Sequence, residues 1–320
     1  MEENMDIWTY LLFAVGVVLI IKGGDWFVDG AAWIADVSGI PKFIVGATIV
    51  SFATTMPELI VSCIATAQGS YEMAAGNAIG SVTANTALIM AISLLFIPSV
   101  IVRKKYMTKS ILMLLAIALL GVFCMQGSLN IWQTIPVLAV FVVFIIENIR
   151  SAKEEVEEQS ERPSFTKSVV AKNIAFLVVG AVAIVLGSQL LVNNGKLIAA
   201  SWGVSEAIIS LTFIAIGTSL PELVTTVSSI IKKQPSLSVG NIIGANIIDM
   251  TMILPVCSFI SGGSLVVEKG TYMLDIPASL ICGAIALIPA LCRKKFSRWQ
   301  GVLLLVCYAI YLTLRICLFE

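Results

Sequence analysis

The chain has 320 residues, of which 58% are hydrophobic and 12% are charged, and its mean hydropathy is +0.98. A soluble domain normally carries about 25% charged residues, so this composition indicates an integral membrane protein. The formal net charge is zero, which argues against a nucleic-acid partner. The absence of histidine excludes histidine-ligated zinc sites, Ser-His-Asp triads and imidazole proton relays. Any proton chemistry therefore has to use carboxylates.

Apolar segments long enough to cross a bilayer recur along the chain, and each crossing needs about 20 residues. Because backbone groups in lipid must be paired within their own segment, we predict an all-α protein with about ten transmembrane helices. The acidic start, Met1–Trp8, lacks the basic region of a signal peptide, so we expect the first span to be retained. The predicted spans are residues 7–35, 43–66, 73–98, 107–124, 130–148, 168–195, 206–231, 237–259, 271–291 and 299–317.

Basic residues are concentrated in alternate connections between the predicted spans. The positive-inside rule places such connections in the cytoplasm and both termini outside. We expect a multi-pass protein of a prokaryotic plasma membrane, in contact with lipid and functional as a monomer. The basic connections hold Arg103, Lys104, Lys105 and Lys109; Arg150, Lys153, Arg162 and Lys167; Lys232 and Lys233; and Arg293, Lys294, Lys295 and Arg298.

The two halves of the chain repeat each other. Residues 46–60 read GATIVSFATTMPELI and residues 210–224 read SLTFIAIGTSLPELV, so Glu58 and Glu222 correspond at an offset of 164 residues. GNAIG at Gly76 and GNIIG at Gly240 have the same offset. Each half contains an odd number of predicted spans, so the second half enters the membrane with opposite polarity. We predict two inverted five-helix repeats, 1–150 and 168–320, joined by a cytoplasmic linker at 151–167.

Each repeat carries one glutamate in the middle of a span. A carboxylate at that depth costs at least ~2.5 kcal/mol on insertion scales, so it indicates a functional site. Glu58 follows Pro57 and Glu222 follows Pro221. A proline inside a helix removes an N–H donor and clashes with the preceding turn. We therefore predict two broken helices with backbone carbonyls free to face an ion, as in many transporters.

Further oxygen-bearing groups accompany the two glutamates. Thr54 and Thr218 each precede a glutamate by four residues and so share its helical face. An all-oxygen set suits hard cations such as Ca²⁺ and Na⁺, and either one Ca²⁺ or several Na⁺ can offset its negative charge. Besides these residues, the candidate ligands are Ser81, Asn85 and Asp249, the hydroxyls of Thr55 and Ser219, and oxygens of Ser51 and Ala215.

The first span also contains charged residues, Lys22, Asp25 and Asp29. We expect them to form an ion pair at the membrane interface. The alternative is that they line an access path to the ion site.

The duplicated (A/G)-T-(T/S)-x-P-E motif with its following G-N-x-I-G resembles the cation/Ca²⁺ exchanger superfamily, particularly the short prokaryotic sodium/calcium exchangers, over nearly the entire chain. The resemblance implies that the first and sixth spans slide against the other eight. It also implies the following roles: Glu58 and Glu222 as central bridging carboxylates, Thr54 and Thr218 as Ca²⁺ ligands, Thr55, Ser81 and Ser219 in flanking Na⁺ sites, and Asn85 and Asp249 at the centre.

One position departs from that family pattern. Ala245 replaces the serine that the first repeat keeps as Ser81, and a methyl group cannot coordinate Na⁺. Ser51 adds a hydroxyl where a small apolar residue is common. We expect the loss at Ala245 to affect the outer of the two flanking Na⁺ sites.

These patterns favour an antiporter that exchanges Ca²⁺ for Na⁺ by alternating access, without a tightly bound cofactor and without enzymatic activity. The alternative is H⁺/Ca²⁺ exchange on the same carboxylates. An intramembrane hydrolase is disfavoured because the sequence shows no serine-based pair, catalytic aspartate pair or histidine-ligated metal. A passive channel is disfavoured because buried paired carboxylates hold a cation too tightly for rapid conduction.

Overall fold

A computed structural model of the chain describes residues 7–98, 103–157, 166–202 and 217–319. In these residues, 8 helices are long and apolar enough to cross a membrane, or up to 9 if one bent pair is a single span. The predicted span 206–231 lies partly outside the described residues. The helices are α1 (Ile7–Ser38), α2 (Lys42–Thr54), α3 (Met56–Ala67), α4 (Tyr71–Phe96), α5 (Arg103–Phe123), α6 (Ile131–Glu157), α7 (Lys167–Ser201), α8 (Leu220–Ile231), α9 (Pro235–Ile260), α10 (Thr271–Arg293) and α11 (Arg298–Phe319).

Two short strands interrupt the helical architecture that the sequence predicts. Strand β1 (Ser128–Asn130) pairs antiparallel with β2 (Ser264–Val266). Leu129 and Leu265 face each other in this ribbon and are fully buried. Three-residue strands are too short to show a periodic pattern in the sequence. The ribbon places the α5–α6 and α9–α10 connections on one face of the protein.

Helices α1 and α7 touch through their backbones. A Cβ atom added to Gly16 would lie 2.9 Å from Gly187 O, and one added to Gly23 would lie 2.9 Å from Gly180 O. Gly16 corresponds to Gly180, and Gly23 to Gly187, at the 164-residue offset. The two contacts are therefore images of each other, as a pseudo-twofold axis between the halves requires. Such small-residue contacts are common between membrane helices.

The helices that follow each broken span contain a matching irregularity. A π-helical turn runs from Asn85 to Ile89 within α4, and another from Asp249 to Ile253 within α9. The first turn packs against α8 and the second against α3. Single π-turns in α-helices frequently occur at functional sites. Here they place Asn85 and Asp249 beside the helices that begin near Glu222 and Glu58.

Aromatic packing brings several basic connections together. The ring centroids of Tyr106 and Phe43 are 3.8 Å apart, and those of Tyr106 and Phe296 are 6.2 Å apart. These contacts join the start of α2, the start of α5 and the α10–α11 connection. We name this end of the bundle the basic face, and the end that carries β1 and β2 the opposite face. Two of the predicted basic connections, the one at the start of α5 and the one between α10 and α11, thus meet at this face.

Candidate ion-binding site

The first broken helix bends directly before its glutamate. Helices α2 and α3 meet at Thr55 with an angle of 42° between them, which confirms the predicted break. Pro57 lies in the first turn of α3. Backbone N–H groups in a first turn have no acceptor within the helix, so a proline there removes no helical hydrogen bond. Thr55 N–H donates to Ser51 O at 2.9 Å. The Ser51 carbonyl therefore keeps its helical partner. The Thr54 hydroxyl also lies 3.3 Å from this oxygen, so an ion would compete with that hydroxyl for the second lone pair.

The second repeat has the same local structure in its described part. Ser219 precedes α8 with φ −84° and ψ 6°, close to the φ −84° and ψ −3° of Thr55. Pro221 lies in the first turn of α8. The predicted carbonyl ligand Ala215 lies outside the described residues.

Three carboxylates are buried in the middle of the bundle. Glu58 is 1% exposed, and Glu222 and Asp249 are fully buried. Neither carboxylate oxygen of Glu58 or Asp249 accepts a hydrogen bond from another described residue. Glu222 accepts one long bond, from Thr55 Oγ1 at 3.4 Å. Buried polar atoms are almost always paired, so unpaired carboxylate oxygens in this arrangement are suited to hold a cation.

Neutral oxygens have to complete any such site. Across the described parts of the chain, no three Asp, Glu, Cys or His side chains are close enough to hold a metal by themselves. The Ser219 hydroxyl and both amide atoms of Asn85 are buried and lack a described partner. The remaining predicted side-chain ligands Thr54, Thr55, Ser51 and Ser81 are also buried, and Thr218 is half-buried.

Two hydrogen bonds cross between the repeats at the site. Thr54 Oγ1 donates to Asn241 Oδ1 at 3.1 Å, and Thr218 Oγ1 donates to Asn77 Oδ1 at 3.2 Å. The second bond is the image of the first at the 164-residue offset. Thr54 Oγ1 also lies 3.3 Å from Ser51 O, a second acceptor for its single proton. A hydroxyl whose proton is directed at the amide oxygen keeps its lone pairs available to a cation.

The two asparagines are themselves held in place. Asn77 Nδ2 donates to Ser62 Oγ at 3.0 Å and to Glu58 O at 3.3 Å. Asn241 Nδ2 donates to Thr225 Oγ1 at 2.9 Å. Neither asparagine is among the ligands that the sequence predicts. Their signal is the asparagine of G-N-x-I-G, and their structural role is to orient the threonine hydroxyls.

Ser51 and Ala245 lie in the same part of the bundle. Ser51 is fully buried, and a Cβ atom added to Gly244 would lie 2.6 Å from Ser51 Oγ. Ala245 follows Gly244 in α9. It lies between Asp249 and Pro235, the first residue of α9, which is at the basic face. Helix α9 runs from the basic face toward the opposite face, so Ala245 lies nearer the basic face than Asp249 does. Which flanking Na⁺ site the missing hydroxyl affects stays a prediction.

A cavity leads away from the site on one side. Its volume is about 250 Å³, and it extends from Pro57 and Thr218 toward the opposite face, where Met73 and Lys196 line it. Its wall on α7 includes Gln189. Among the described residues, the cavity therefore extends from the neighbours of both glutamates, Pro57 and Pro221, toward the opposite face.

Comparisons with known proteins agree with this geometry. A family model described as sodium/calcium exchanger protein matches residues 8–149 and 172–317. The chain is 33% identical to a putative antiporter, CaxA, of Alkalimonas amylolytica, over 93% of this chain and 95% of that protein. It is 28% identical to the sodium/calcium exchanger MaX1 of Methanosarcina acetivorans, over 95% of this chain and 97% of that protein.

Solved structures of the sodium-calcium exchanger NCX_Mj have a similar fold. One of them, soaked with Na⁺ and without Ca²⁺, gives a TM-score of 0.84 at 28% identity and covers 98% of this chain and 99% of its own. The family model covers most of this chain, and the duplicated glutamates lie buried between its halves. The chain is therefore a polytopic helical membrane protein that belongs to the sodium/calcium exchanger family.

Proposed function

We propose that this protein exchanges Ca²⁺ for Na⁺ across the membrane by alternating access, with both ions using one buried site. The observation that carries the proposal is the symmetric pair Glu58 and Glu222, which presents buried carboxylate oxygens without full hydrogen bonding. Membership of the exchanger family supports antiport rather than an enzymatic reaction. The ions are transported substrates, and the proposal requires no tightly bound cofactor.

The proposed repeats are residues 1–150 and 168–320. The paired glycine contacts between α1 and α7 and the paired threonine–asparagine bonds support this division. The linker at 151–167 begins as a continuation of α6, which ends at Glu157. Residues 158–165 lie outside the described parts.

Ca²⁺ takes six to eight oxygen ligands, more than two carboxylates provide. We assign it to the centre, between Glu58 and Glu222, with the Thr54 and Thr218 hydroxyls. When Ca²⁺ leaves, Na⁺ ions offset the same carboxylates. The proposed Na⁺ ligands are the hydroxyls of Thr55, Ser219, Ser81 and Ser51 with the Ala215 carbonyl, while Asn85 and Asp249 hold the centre of the site.

We assign the basic face to the cytoplasm of a prokaryotic cell membrane, with both termini outside and the monomer as the functional unit. The support is the concentration of Lys and Arg in the connections at that face. With this orientation the cavity at Thr218 faces outward.

Purified protein in liposomes tests the coupling ion. Vesicles are loaded with Na⁺, diluted into Na⁺-free buffer with radioactive Ca²⁺, and compared with vesicles under a pH gradient alone. We expect Ca²⁺ uptake that follows the Na⁺ gradient. Uptake that responds to the pH gradient and not to Na⁺ would establish the proton-coupled alternative. Uptake without any counter-gradient, at channel rates, would exclude antiport.

A further inference from the structure

Helices α1 and α8 make direct contact near the basic face. A Cβ atom added to Gly24 would lie 2.6 Å from Ser228 Oγ and 2.7 Å from Val224 Cγ1. Such spacing leaves no room for an ion or a water molecule between the helices. The route from Glu222 to the basic face is closed along this contact.

The equivalent residues of the other repeat are arranged differently. At the 164-residue offset, Gly24 corresponds to Ser188 and Val224 to Ile60. Ser188 and Ile60 line the cavity of about 250 Å³ that leads to the opposite face. Among the described residues, one conformation thus shows the same helix pair in two arrangements, in contact at the basic face and separated by a cavity toward the opposite face.

An ion-pair cluster joins the two helices where they are closed. Lys232 Nζ lies 2.6 Å from Asp29 Oδ1 and 3.9 Å from Asp25 Oδ1. Lys232 follows the last residue of α8, and its N–H donates to Ser228 O at 2.9 Å. Since α8 also carries Glu222, about 15 Å away along the helix, the cluster connects α1 to the element that holds a site carboxylate.

The other repeat has no charge at the equivalent positions. Asp25 corresponds to Gln189, Asp29 to Asn193, and Lys232 to Gln68 at the same offset. Both Gln189 and Asn193 line the open cavity. The cavity also contains Lys196, whose equivalent is Ala32. At these positions the outer route thus has two amides and one cation, whereas the inner route has two acids paired with Lys232.

We propose that Asp25, Asp29 and Lys232 form a charged gate at the basic face, which closes that route as an ion pair and attracts Ca²⁺ when it opens. The proposal deepens the proposed function and rests on alternating access through the site of Glu58 and Glu222. The twofold relation between the repeats predicts that α1 lies away from α8 in the alternate state. Asp25 and Asp29 then line a cavity at the basic face, where Gln189 and Asn193 line the present one.

Two carboxylates at the mouth of a low-dielectric cavity raise the local cation concentration. Ca²⁺ binding from the basic face should therefore be tighter than binding from the opposite face. Neutral Gln189 and Asn193, with Lys196 beside them, lack this attraction, which favours release at the opposite face.

Cysteine labelling tests the closed ion pair without requiring transport. Ser228→Cys is introduced into a chain whose native cysteines are replaced, and a membrane-impermeant thiol reagent is applied from the basic face. Partly exposed ion pairs are weak, so Lys232→Gln should raise the labelling rate by about two- to fivefold. The charge exchange Lys232→Asp with Asp29→Lys should restore slow labelling. Glu154→Gln, which removes an acid bonded to Arg150 within α6, is the matched control and should change nothing.

Sided transport kinetics test the attraction of Ca²⁺. Asp25→Asn with Asp29→Asn should raise the KM for Ca²⁺ at the basic face by about three- to tenfold, leave the KM at the opposite face unchanged, and lose its effect in high salt. Unchanged labelling in Lys232→Gln, or equal changes in KM at both faces, would overturn the gate. If wild-type protein shows no Na⁺-driven Ca²⁺ flux, the proposed function fails, and the labelling result still decides whether the ion pair closes the route.

Discussion

Thr54 and Asn241 are joined by a hydrogen bond of 3.1 Å, although they belong to different halves of the chain. The bond and its image, between Thr218 and Asn77, set the direction of both hydroxyls at the site. Ligand geometry in each repeat therefore depends on an amide of the other repeat. Movement of one half against the other has to preserve or exchange these contacts.

The first prediction concerns this bond. Thr54→Val and Asn241→Ala should each raise the KM for Ca²⁺ by about fivefold, because a buried hydrogen bond contributes about 1 kcal/mol. The double variant should be little worse than either single variant, since residues in direct contact are coupled by about 0.5–3 kcal/mol. Thr313→Val removes an exposed hydroxyl on α11 and should combine additively with Asn241→Ala. Additive effects of Thr54→Val and Asn241→Ala would show that the bond does not orient a ligand.

The second prediction concerns the central carboxylates. Glu58→Gln and Glu222→Gln should each reduce Ca²⁺ flux to background while the protein stays folded. Two unit charges about 4 Å apart interact by about 4 kcal/mol at an effective dielectric of 20, and the double charge of Ca²⁺ doubles this energy, so the loss in binding should exceed about a thousandfold. Flux into liposomes and size-exclusion chromatography provide the two readouts. Glu72→Gln, on the exposed start of α4, serves as control. Wild-type flux in both Gln variants would remove these glutamates from the site.

The sequence predicted the spans and the helix break well because lipid leaves few alternatives. A segment of apolar residues has to be helical there, and a proline before a buried glutamate has to disturb it. The break at Thr55 and the burial of Glu58 follow from these local rules. Because the two repeats correspond, the same local rules apply to Glu222.

Contacts between separate helices were not predictable in the same way. The four-residue spacing shows that Thr54 shares the helical face of Glu58, but it does not show that Asn241 of the other repeat meets the Thr54 hydroxyl. The first-span acids illustrate the difference: the sequence suggests an interfacial ion pair, and the structure supplies Lys232, a partner 203 residues from Asp29. The β1–β2 ribbon likewise depends on two distant connections that meet at one face.

The third prediction concerns Ser51 and Ala245, the positions where this chain gains and loses a hydroxyl relative to the family pattern. Because Ser51 lies beside Gly244, which precedes Ala245 in the chain, we expect the Ser51 hydroxyl to serve the ion that a serine at 245 would bind. Ser51→Ala should raise the KM for Na⁺ more than the KM for Ca²⁺. Adding Ala245→Ser should restore Na⁺ affinity.

The control for this experiment is Ser93→Ala, which removes a buried hydroxyl bonded to Ser238 at 3.0 Å. It should leave the ratio of the two KM values unchanged. Equal effects of Ser51→Ala on Na⁺ and Ca²⁺ would indicate that the hydroxyl only packs, through its bond to Thr48 O.

The fourth prediction concerns the contact between α1 and α7. A Cβ atom on Gly180 would lie 2.6 Å from Phe27 N and 2.8 Å from Gly23 O, so Gly180→Ala has to push the two helices apart. Overpacking of this kind costs about 1–3 kcal/mol, and we expect a lower unfolding temperature in detergent and slower Ca²⁺ flux. Gly121→Ala adds the same methyl to a helix interior, but its Cβ would lie 3.4 Å from a methyl of Ile276. The control therefore shares the gain in helix propensity without the backbone collision, and equal stability of the two variants would contradict the close packing of α1 on α7.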